Sequence, residues 1–395
     1  MSIIPFNKPY LTGNEHQYVK DAIALGQLSG DGHFTGLCKD WLERVLKPRI
    51  SLLTHSCTSA LEMTASLLNI VPGDEVIMPS FTFVSTANAF ILRGATPVFV
   101  DVREDTLNID ENLIEQAITS KTKAIVVVHY AGISCEMDQI ISLANLYKLP
   151  VIEDAAQGIM STYKGSSLGT IGDLGAIIFH DTKNLISGEG GALFINNPIF
   201  IERAEIIRDK GTNRKKFLRG EVDKYTWIDE GSSHLPRELV SAFLFAQLEN
   251  ADAITKMRTE IWQKYHAGLE SLENESKIIR PSVPEGIQHN GHIYYILLSD
   301  EINRDNFISA MKKKGIVCSF HYIPLHSSPA GIKWGKSMSP LVITDNISSR
   351  IVRLPLWPTI NADKGEWVSI TLTIEFALIN LFNLALLISG PESKE

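Results

Sequence analysis

The stretch KAIVVVHYAGISCEMDQIISLANLYKLPVIEDAAQ (123–157) decides the fold class of this chain. The uninterrupted apolar run at 124–128 is typical of a strand that is buried on both faces, and 150–153 forms a second such run. The segment between them, 137–147, has the length and the apolar spacing of a helix. A strand, a helix and another strand in this order predict two parallel strands joined by a crossover helix.

The same alternation extends on both sides of this stretch. Apolar, β-rich runs predict strands at 51–54, 75–78 and 97–102, and the segments that follow them predict helices at 59–68, 87–92 and 111–118. Two further strands, 176–179 and 192–195, are joined by a link too short for a parallel crossover, so we expect them to be antiparallel neighbours. The pattern predicts an α/β fold with a mainly parallel central sheet and helices on both of its faces.

The C-terminal part of the chain predicts a second, smaller α/β domain. Residues 205–235 are polar and are expected to form loops, and a long helix over 239–265 is expected to lead into the second domain. There the pattern predicts a strand at 292–298, a helix at 304–314 and a strand at 317–321. We therefore divide the 395 residues into a large domain with an N-terminal arm, 1–250, and a small C-terminal domain, 251–395.

The composition is that of a globular protein, and it excludes several classes of function. Apolar residues make up 44% of the chain, and the formal net charge is -8. An acidic chain without a clustered basic face does not fit nucleic-acid binding, and the basic run at 214–219 is short enough to be a solvated loop. The four cysteines lie far apart without a CxxC pair, which predicts neither a zinc site nor a disulfide framework.

The two ends of the sequence bear on location. The first residues, MSIIPFNKPY, contain no basic segment followed by an apolar one, so we expect no signal peptide and a reducing, cytoplasmic environment. Residues 370–388 are strongly apolar, but Glu375, Asn380 and Asn383 interrupt them. The charge-free run is shorter than the roughly 20 residues that span a bilayer. A helix packed against protein is the favoured interpretation, and a contact with a membrane or a partner is the alternative.

Polar side chains follow the predicted strands at the edge where an open α/β sheet binds its ligands. The segment SCTSALE (56–62) offers hydroxyls and free N–H groups at a helix start, which suit a phosphate, although an ordinary helix N-cap has the same residues. Asp154 follows the strand at 150–153, and a buried acid there needs a partner such as a protonated ring nitrogen. A helix N-cap or a metal ligand is the alternative for Asp154, but no cluster of His, Asp or Glu stands beside it at ligand spacing.

A single lysine, Lys183, lies in the turn between the two antiparallel strands. A lysine that forms a Schiff base needs a fixed position in a pocket and a lowered pKa, and the glycines after it allow close approach of the backbone to a ligand. The alternative is a surface lysine in a hairpin. Phe81 and Phe83 follow the strand at 75–78, where an aromatic ring either joins the core or stacks on a flat heterocycle.

The order of these features is that of the fold-type I pyridoxal-phosphate (PLP) enzymes, and the chain resembles the DegT/DnrJ/EryC1/StrS family of sugar-nucleotide aminotransferases from about residue 5 to residue 358. The stretches that carry the resemblance are GDGHFTGLC (30–38), SCTSALEM (56–63), GDEVIMPSFTFVSTANAFILRGA (73–95), VVHYAGISCEMD (127–138), VIEDAAQGIMSTYKG (151–165), FHDTKN (179–184), RDKGTNRKKFLRGEVDKYTW (208–227) and FHYIPLHSSPAG (320–331). The resemblance implies the fold-type I PLP-dependent transferase fold.

The resemblance also implies a role for each matching residue. Lys183 would form the Schiff base and move the proton during catalysis, and Asp154 would pair with the pyridinium nitrogen of PLP. Gln157 would approach the ring hydroxyl, and Phe83 would stack on one ring face. The phosphate would be held by Thr58 and Ser59, helped by Ser232 or Ser233 of a second subunit. The contacts expected with the sugar nucleotide are those of Arg214, His321 and Tyr322. No metal is expected.

The implied reaction is the transfer of an amino group from L-glutamate to a dTDP-linked keto-sugar. The matching branch of the family converts dTDP-4-keto-6-deoxy-D-glucose into dTDP-4-amino-4,6-dideoxy-D-galactose, a precursor of surface polysaccharides. A contact from a second subunit implies a homodimer with the site at its interface. The 4-aminotransferases that give the gluco epimer are an alternative. The dehydratases of the same superfamily are not favoured, because they have a histidine in place of Lys183.

Three departures from the family pattern bear on activity. Many members have a serine five residues before the lysine, where this chain has Ile178, and the position therefore lacks a hydroxyl for the phosphate. The loop NLISGEGG (184–191) is one residue shorter than the usual glycine-rich form. The sequence after Pro358 diverges from the family. Ile178 and the divergent tail are the support for a second alternative, a non-catalytic relative that serves as a binding or assembly module.

Overall fold

The strand–helix–strand unit predicted at 123–157 is confirmed in the computed structural model, which describes residues 3–360 together with Ile370, Ile374 and Leu378. The strands are Thr122–Val128 and Val151–Asp154, and the helix between them is Met137–Tyr147. The helix ends because Lys148 adopts a left-handed conformation, with φ at 55°. The two strands are parallel, with Ile125 opposite Val151.

The other helices and strands fall in the following order. The strands are β1 (Ile50–Thr54), β2 (Glu75–Pro79), β3 (Thr96–Val100), β4 (Thr122–Val128), β5 (Val151–Asp154), β6 (Thr162–Tyr163), β7 (Ser166–Ser167), β8 (Leu174–Ile178), β9 (Gly191–Ile195), β10 (Ile278–Ile279), β11 (Ile287–Gln288), β12 (Tyr295–Leu298), β13 (Lys336–Ser337) and β14 (Ile351–Arg353). The helices are α1 (Glu15–Leu25), α2 (His33–Val45), α3 (Cys57–Leu67), α4 (Val84–Ile91), α5 (Met137–Tyr147), α6 (Ile201–Arg208), α7 (Arg214–Leu218), α8 (Glu238–Leu248), α9 (Ala251–Gly268), α10 (Glu270–Asn274), α11 (Arg304–Lys313), α12 (Pro329–Trp334) and α13 (Val342–Arg350).

The central sheet has the strand order β1-β9-β8-β5-β4-β2-β3-β13 within the described residues. Neighbouring strands from β8 to β13 are parallel, whereas β9 is antiparallel to both β1 and β8. The predicted mainly parallel sheet and the predicted antiparallel pair are therefore confirmed. Because β4, β5 and β8 run in one direction, their carboxyl ends meet at one edge of the sheet.

The two faces of this sheet are buried in two separate hydrophobic clusters. Ile125 and Val127 belong to one cluster, and Ala124 and Val126 belong to the other. This division follows from the strand geometry, since successive side chains point to opposite faces. Both faces are apolar because helices cover both of them, as the uninterrupted run at 124–128 predicts.

A smaller antiparallel sheet, β10-β12-β14, lies in the C-terminal part of the chain. Helix α9 connects the two parts, since Ile254 lies in a core cluster of the large sheet and Ile261 lies in that of the small sheet. Ile4 from the N-terminal segment also packs in the second cluster. The division at residue 250 stays a prediction.

Three residues of the apolar tail belong to the same cluster, that of the small sheet. Ile370, Ile374 and Leu378 are helical, fully buried and spaced four apart, which is the spacing of one helix face. At these positions the structure agrees with a helix packed against protein, and the remainder of 370–388 lies outside the described residues. Among residues 3–360, no helix combines the length and the hydrophobicity needed to cross a bilayer.

Four of the predicted elements differ from the structure. The helix predicted over 239–265 is divided into α8 and α9, because Asn250 leaves the helical conformation between them. The helix predicted at 111–118 is two short 3-10 turns, and Ile118 is already extended. The loops predicted at 205–235 include the end of α6 and all of α7. The strand predicted at 317–321 makes only an isolated bridge through Ser319.

Candidate active site

A cavity of about 330 Å³ opens at the carboxyl ends of β4, β5 and β8. We call it the central cavity. Its walls include the last residue of each of these strands, Val128, Asp154 and Ile178, because the parallel strands end at the same edge. Lys183 reaches the cavity from the turn that follows β8. The α/β fold thus places the predicted acid and the predicted lysine on the walls of one cavity.

The segment after β1 supplies the polar end of this cavity. Ser56 caps helix α3, since its hydroxyl accepts a hydrogen bond of 3.1 Å from the Ser59 N–H. Thr58 lines the cavity and its Oγ1 lies 2.8 Å from Oγ of Ser85, which also lines it. The Ser59 hydroxyl is buried and lies 2.5 Å from Nδ1 of His234 instead. The helix start and two adjacent hydroxyls form a site for an anionic group.

A close approach of backbone holds this polar end in place. A Cβ atom on Gly191 would come within 2.5 Å of the Ser56 carbonyl carbon, so only glycine allows β9 to lie against the turn. This contact assigns a steric function to Gly191, the last glycine of the loop 184–191 and the first residue of β9. It also connects the turn before α3 with the loop that carries Lys183.

Asp154 is a buried carboxylate with few partners. Its Oδ2 accepts a hydrogen bond of 2.7 Å from the Thr86 hydroxyl, and its Oδ1 accepts one of 3.1 Å from the Ala156 N–H. Among the described residues, no cationic nitrogen lies within 4.0 Å of it. Burial raises the pKa of Asp154, and the two hydrogen bonds oppose that shift. A cationic ligand in the cavity would supply the missing charge.

Lys183 has the electrostatic environment that a reactive amine requires. Desolvation lowers its pKa to about 8, although the neighbouring Cys57 and Asp154 act in the opposite direction. At pH 7 about a tenth of such amines are unprotonated, compared with less than about a thousandth for an ordinary lysine. The backbone of Lys183 is fixed by a hydrogen bond of 2.9 Å from its N–H to the His180 carbonyl.

Aromatic side chains form a further wall of the central cavity. Phe83 is 56% exposed and its ring lies 6.5 Å from that of Tyr322. Tyr322 stacks on His321 with a centroid distance of 3.7 Å, and its hydroxyl accepts a hydrogen bond of 2.9 Å from Nε2 of Gln157. The amide oxygen of Gln157 is already used, since it accepts a hydrogen bond from the Ala131 N–H. Because one N–H of the NH₂ group is used by Tyr322, the second is the donor that Gln157 can offer to a ligand.

The structure brings together most, but not all, of the predicted site residues. Thr58, Phe83, Asp154, Gln157, Lys183, His321 and Tyr322 line the central cavity. Arg214 lies on α7 away from it, with a distance of 3.5 Å from its guanidinium to the carboxylate of Asp209. Ser232 and Ser233 are exposed at the surface of the chain. Their expected contact is with a second subunit, and it stays a prediction.

Sequence reasoning did not single out two cavity residues, Ser85 and Arg353, or Thr86, which donates to Asp154. Ser85 and Thr86 lie in the first turn of α4, shortly after Phe83, so their proximity to the predicted aromatic residue was the available signal. Arg353 lies at the end of β14, 170 residues after Lys183, and no local pattern indicates its position. Ile178 does lie on the cavity wall, as the missing serine implied.

The residues that line the cavity fit PLP. The cavity combines a desolvated amine, a buried acid without a cation, an exposed aromatic ring and a helix start with two hydroxyls. These groups match, respectively, the aldehyde, the ring nitrogen, the ring face and the phosphate of PLP. Within the described residues, no group of three or more His, Cys, Asp or Glu could hold a metal. The fold and this site define a PLP-dependent enzyme of fold type I.

Comparison with known proteins identifies the family. Residues 9–372 match the model of the DegT/DnrJ/EryC1/StrS aminotransferase family. The spore coat polysaccharide biosynthesis protein SpsC of Bacillus subtilis is 33% identical over 369 residues, which cover 91% of this chain and 94% of that protein. The uncharacterized protein MJ1066 of Methanocaldococcus jannaschii is 36% identical over 322 residues, 80% of this chain and 83% of that protein.

A solved relative supports the cofactor assignment. The PLP form of the sugar aminotransferase Spr1654 from Streptococcus pneumoniae is 26% identical, with a TM-score of 0.87, and the match covers 96% of this chain and 99% of that one. The chain belongs to the DegT/DnrJ/EryC1/StrS aminotransferase family, and it is a PLP-dependent sugar aminotransferase.

Proposed function

We propose that this enzyme transfers the amino group of L-glutamate to C4 of dTDP-4-keto-6-deoxy-D-glucose and forms dTDP-4-amino-4,6-dideoxy-D-galactose for a surface polysaccharide. The observation that supports it most is the presence of Lys183 and Asp154 on the walls of one cavity. The name of the relative SpsC, a polysaccharide biosynthesis protein, supports a pathway of this kind. The cytoplasm, where nucleotide sugars are made, is the compartment that we propose.

The residues of the chain perform four tasks in this reaction. PLP, when bound, supplies an electron sink for the carbon that loses or gains the amino group. Asp154 would hold the ring nitrogen in its protonated form, because an ionised carboxylate favours the charged form of an adjacent cation. Thr58 and the start of α3 would hold the phosphate, and Ser85 would add a hydroxyl where Ile178 supplies none. Phe83 would cover one face of the ring and exclude water from it.

Lys183 transfers the proton. Its amine removes the α-proton of the donor amino acid and returns a proton to C4 of the sugar, and the side from which it acts fixes the new stereocentre. A pKa of about 8 leaves enough free amine at neutral pH for this task. A proton delivered from one fixed side gives one epimer at C4.

A second subunit completes the site in this proposal. Ser232 and Ser233 are exposed, and they lie in a segment that also exposes the large apolar side chains of Tyr225 and Trp227. Exposed aromatic residues of this kind are typical of a protein interface. We propose a homodimer in which this segment reaches the phosphate of the neighbouring subunit. Sedimentation equilibrium and the loss of PLP affinity in a double Ser232→Ala, Ser233→Ala variant test it.

The first experiment is an absorption spectrum of the purified protein with PLP, before and after addition of L-glutamate. A band at the visible edge that shifts to the pyridoxamine form on addition of glutamate is the expected result. The keto-sugar is then added, and NMR of the product distinguishes the galacto from the gluco epimer. No band, or a band that does not respond to glutamate, contradicts the proposed donor reaction.

Substitution of the lysine tests the role of Lys183. Lys183→Ala is expected to lower turnover by about 10²–10⁴-fold or more, because the proton-transfer group is removed. Lys164→Ala is the control, since Lys164 is exposed and its ammonium forms an ion pair with the exposed Asp138. Full turnover in the purified Lys183→Ala protein would exclude the proposed mechanism.

A further inference from the structure

Lys183 and Gln157 line the same cavity but come from different loops. Lys183 lies in the turn after β8, and Gln157 lies in the turns at 155–161 after β5, where the structure has neither a helix nor a strand. The relative position of the two side chains therefore depends on contacts outside the sheet. Residues 290–292, which lie between β11 and β12, contact both loops. We call them the bridging segment.

Asn290 of the bridging segment holds the turns that carry Gln157. The residue is fully buried, and its side-chain NH₂ group donates hydrogen bonds of 2.8 and 2.7 Å to the carbonyl oxygens of Gln157 and Ile159. Its amide oxygen accepts a hydrogen bond of 3.0 Å from the His292 N–H. Both N–H donors of the amide are thus used by the turns. Because these carbonyl groups belong to no helix or strand, Asn290 supplies the hydrogen bonds that regular structure would otherwise supply.

The same segment holds the loop of Lys183 through the next residue, Asn184. Nδ2 of Asn184 donates a hydrogen bond of 3.0 Å to the Asn290 carbonyl oxygen, so Oδ1 of Asn184 is the acceptor end of the amide. Burial holds the pKa of His292 well below the usual range, and the neutral ring donates from Nδ1–H to this Oδ1 at 2.7 Å. Both polar ends of the Asn184 side chain are therefore bound to the bridging segment.

A third loop is fitted to the Asn290 side chain. Gly132 has a φ of 79°, and a Cβ atom at this position would overlap Oδ1 of Asn290, so only glycine allows the loop to pass the amide. The preceding residue, Ala131, donates its N–H to the side-chain oxygen of Gln157 at 2.6 Å. Asn290 thus binds the backbone of Gln157 and lies against the loop that holds the Gln157 side chain.

We propose that Asn290 is a positioning residue, which sets the spacing between Gln157 and Lys183. This inference rests on the proposed function, since it uses the roles proposed there and in the sequence for these two residues. The hydroxyl and the aldehyde of PLP are neighbours on one ring, so the groups that bind them need a fixed spacing. Asn290 does not line the central cavity and acts only through the two loops. A displacement of about 1 Å in such an arrangement costs about 10²-fold in rate.

Two variants interrupt the contacts of the bridging segment from opposite ends. Asn290→Ala removes both donors from the turns of Gln157, and Asn184→Ala releases the loop of Lys183. Titration of each purified protein with PLP gives the affinity for PLP, and the absorbance of the loaded enzyme is then followed against pH. Single-turnover kinetics with L-glutamate give the maximal rate and the half-saturating concentration. Urea unfolding of the PLP-free proteins gives their stability.

The matched control is Asn196→Ala. Asn196 also donates from its side-chain NH₂ group to two carbonyl oxygens, those of Gly169 and Gly172, at 3.1 and 2.8 Å. It follows β9 and lies beside the start of β8, at the edge of the sheet opposite the central cavity. Asn196→Ala should lower the free energy of unfolding, because it removes two hydrogen bonds, as Asn290→Ala does. Its PLP affinity and its rate with glutamate should stay within about twofold of the wild type.

In Asn290→Ala, the maximal rate with glutamate should fall by about 10- to 100-fold, whereas the half-saturating concentration should change by less than about threefold. The affinity for PLP should fall by about 5- to 10-fold, which corresponds to the loss of one hydrogen bond. The absorbance titration should move to higher pH, because a displaced Gln157 N–H group stabilises the ionised ring oxygen less. Asn184→Ala should change these quantities in the same directions. The double variant should lose about as much as the larger single variant, since both substitutions release the same contacts.

Three outcomes overturn the proposal. One is that Asn290→Ala changes stability only, as Asn196→Ala is expected to do. Another is a rise in the half-saturating concentration with an unchanged maximal rate, and the third is additive losses in the double variant. If Asn290→Ala does not fold, Asn184→Ala decides by the same rate, affinity and titration. If the wild-type enzyme does not react with L-glutamate, the proposed donor reaction fails instead, and a failure of the Asn290 role alone leaves that reaction intact.

Discussion

Two neighbouring acids at the end of β5 have opposite environments. The Glu153 carboxylate is fully enclosed and accepts hydrogen bonds from the N–H groups of Gly169, Ile171 and Gly172, at 2.6 to 2.7 Å. It also lies 2.9 Å from Nε2 of His129. Asp154 has one hydroxyl and one N–H group as partners, and it faces the central cavity.

The difference follows from the alternation of side chains along a strand. Successive side chains point to opposite faces of the sheet, so Glu153 contacts the loop at 169–172 and Asp154 lines the central cavity. Both are buried, but only Glu153 has its hydrogen-bonding capacity filled by the protein. A carboxylate whose oxygens all accept hydrogen bonds from the protein stabilises the fold. A carboxylate with oxygens that can accept further hydrogen bonds is available to a ligand.

Among substitutions of the two acids and their partners, Asp154→Asn is expected to have the largest effect, and that effect is on activity. The substitution keeps the shape of the side chain and removes the charge that would pair with the pyridinium nitrogen. Turnover should fall by about 10²–10⁴-fold, the cost of removing one partner of a buried ion pair. Steady-state kinetics measure the loss, and circular dichroism should show an intact fold. Turnover within threefold of the wild type would contradict a catalytic role for Asp154.

Glu153→Gln is expected to affect stability instead. A glutamine can replace only one of the two carboxylate oxygens, so at least one backbone N–H group loses its acceptor. The free energy of unfolding should fall by about 2–4 kcal/mol, since hydrogen bonds to charged groups are strong and a buried donor is left unpaired. Urea denaturation measures it, with Glu249→Gln as the control, because Glu249 is exposed and bonds only to the Tyr18 hydroxyl among the described residues. The folded fraction of the Glu153→Gln variant should keep most of the wild-type turnover.

The pH dependence of stability should report on the burial of Asp154. Because burial raises the pKa of Asp154 above 3.8 in the PLP-free protein, the protonated form is favoured in the folded state. Its contribution to stability is full below pH 3.8 and is lost as the pH rises through the raised pKa. The Tm of PLP-free Asp154→Asn relative to wild type should therefore increase between pH 4 and pH 7. Thermal unfolding at several pH values checks it, and PLP should remove the trend, because the pyridinium stabilises the carboxylate.

Much of the central sheet could be predicted from the sequence because its signals are local. The run at 124–128 and the helix at 137–147 show their periods within a few residues, and the structure has both elements. The segment at 205–235 could not be predicted in this way. Its helix α7 is short and exposed, and its conformation depends on contacts such as the 3.2 Å hydrogen bond from the Asn213 N–H to the Thr226 carbonyl oxygen.

The candidate site could be predicted where its residues follow strands. Asp154 and Lys183 are found from strand ends and turns, and the order of the motifs supports them. Arg353 and Arg258 come from β14 and α9, and only the tertiary packing of these elements brings them to Lys183. The different environments of Glu153 and Asp154 could not be predicted from the sequence either, since both residues follow the same apolar run.

The smallest expected effect is that of Thr86→Val, which removes the hydroxyl that donates to Asp154 at 2.7 Å and keeps the shape of the side chain. This hydrogen bond favours the ionised carboxylate, so its loss should weaken the pairing with the cofactor ring without abolishing it. A single such bond is worth about 1–1.5 kcal/mol, which corresponds to roughly 5- to 12-fold in PLP affinity or turnover. Thr64→Val is the matched control, because Thr64 is equally buried but its hydroxyl donates to the Leu61 carbonyl inside α3. If both variants lose activity equally, the hydroxyl acts through packing. If only Thr86→Val loses activity, the Thr86 hydroxyl strengthens the binding of a cationic ligand by Asp154. Glu153 cannot be adjusted in this way, because its carboxylate already accepts hydrogen bonds from several groups of the protein.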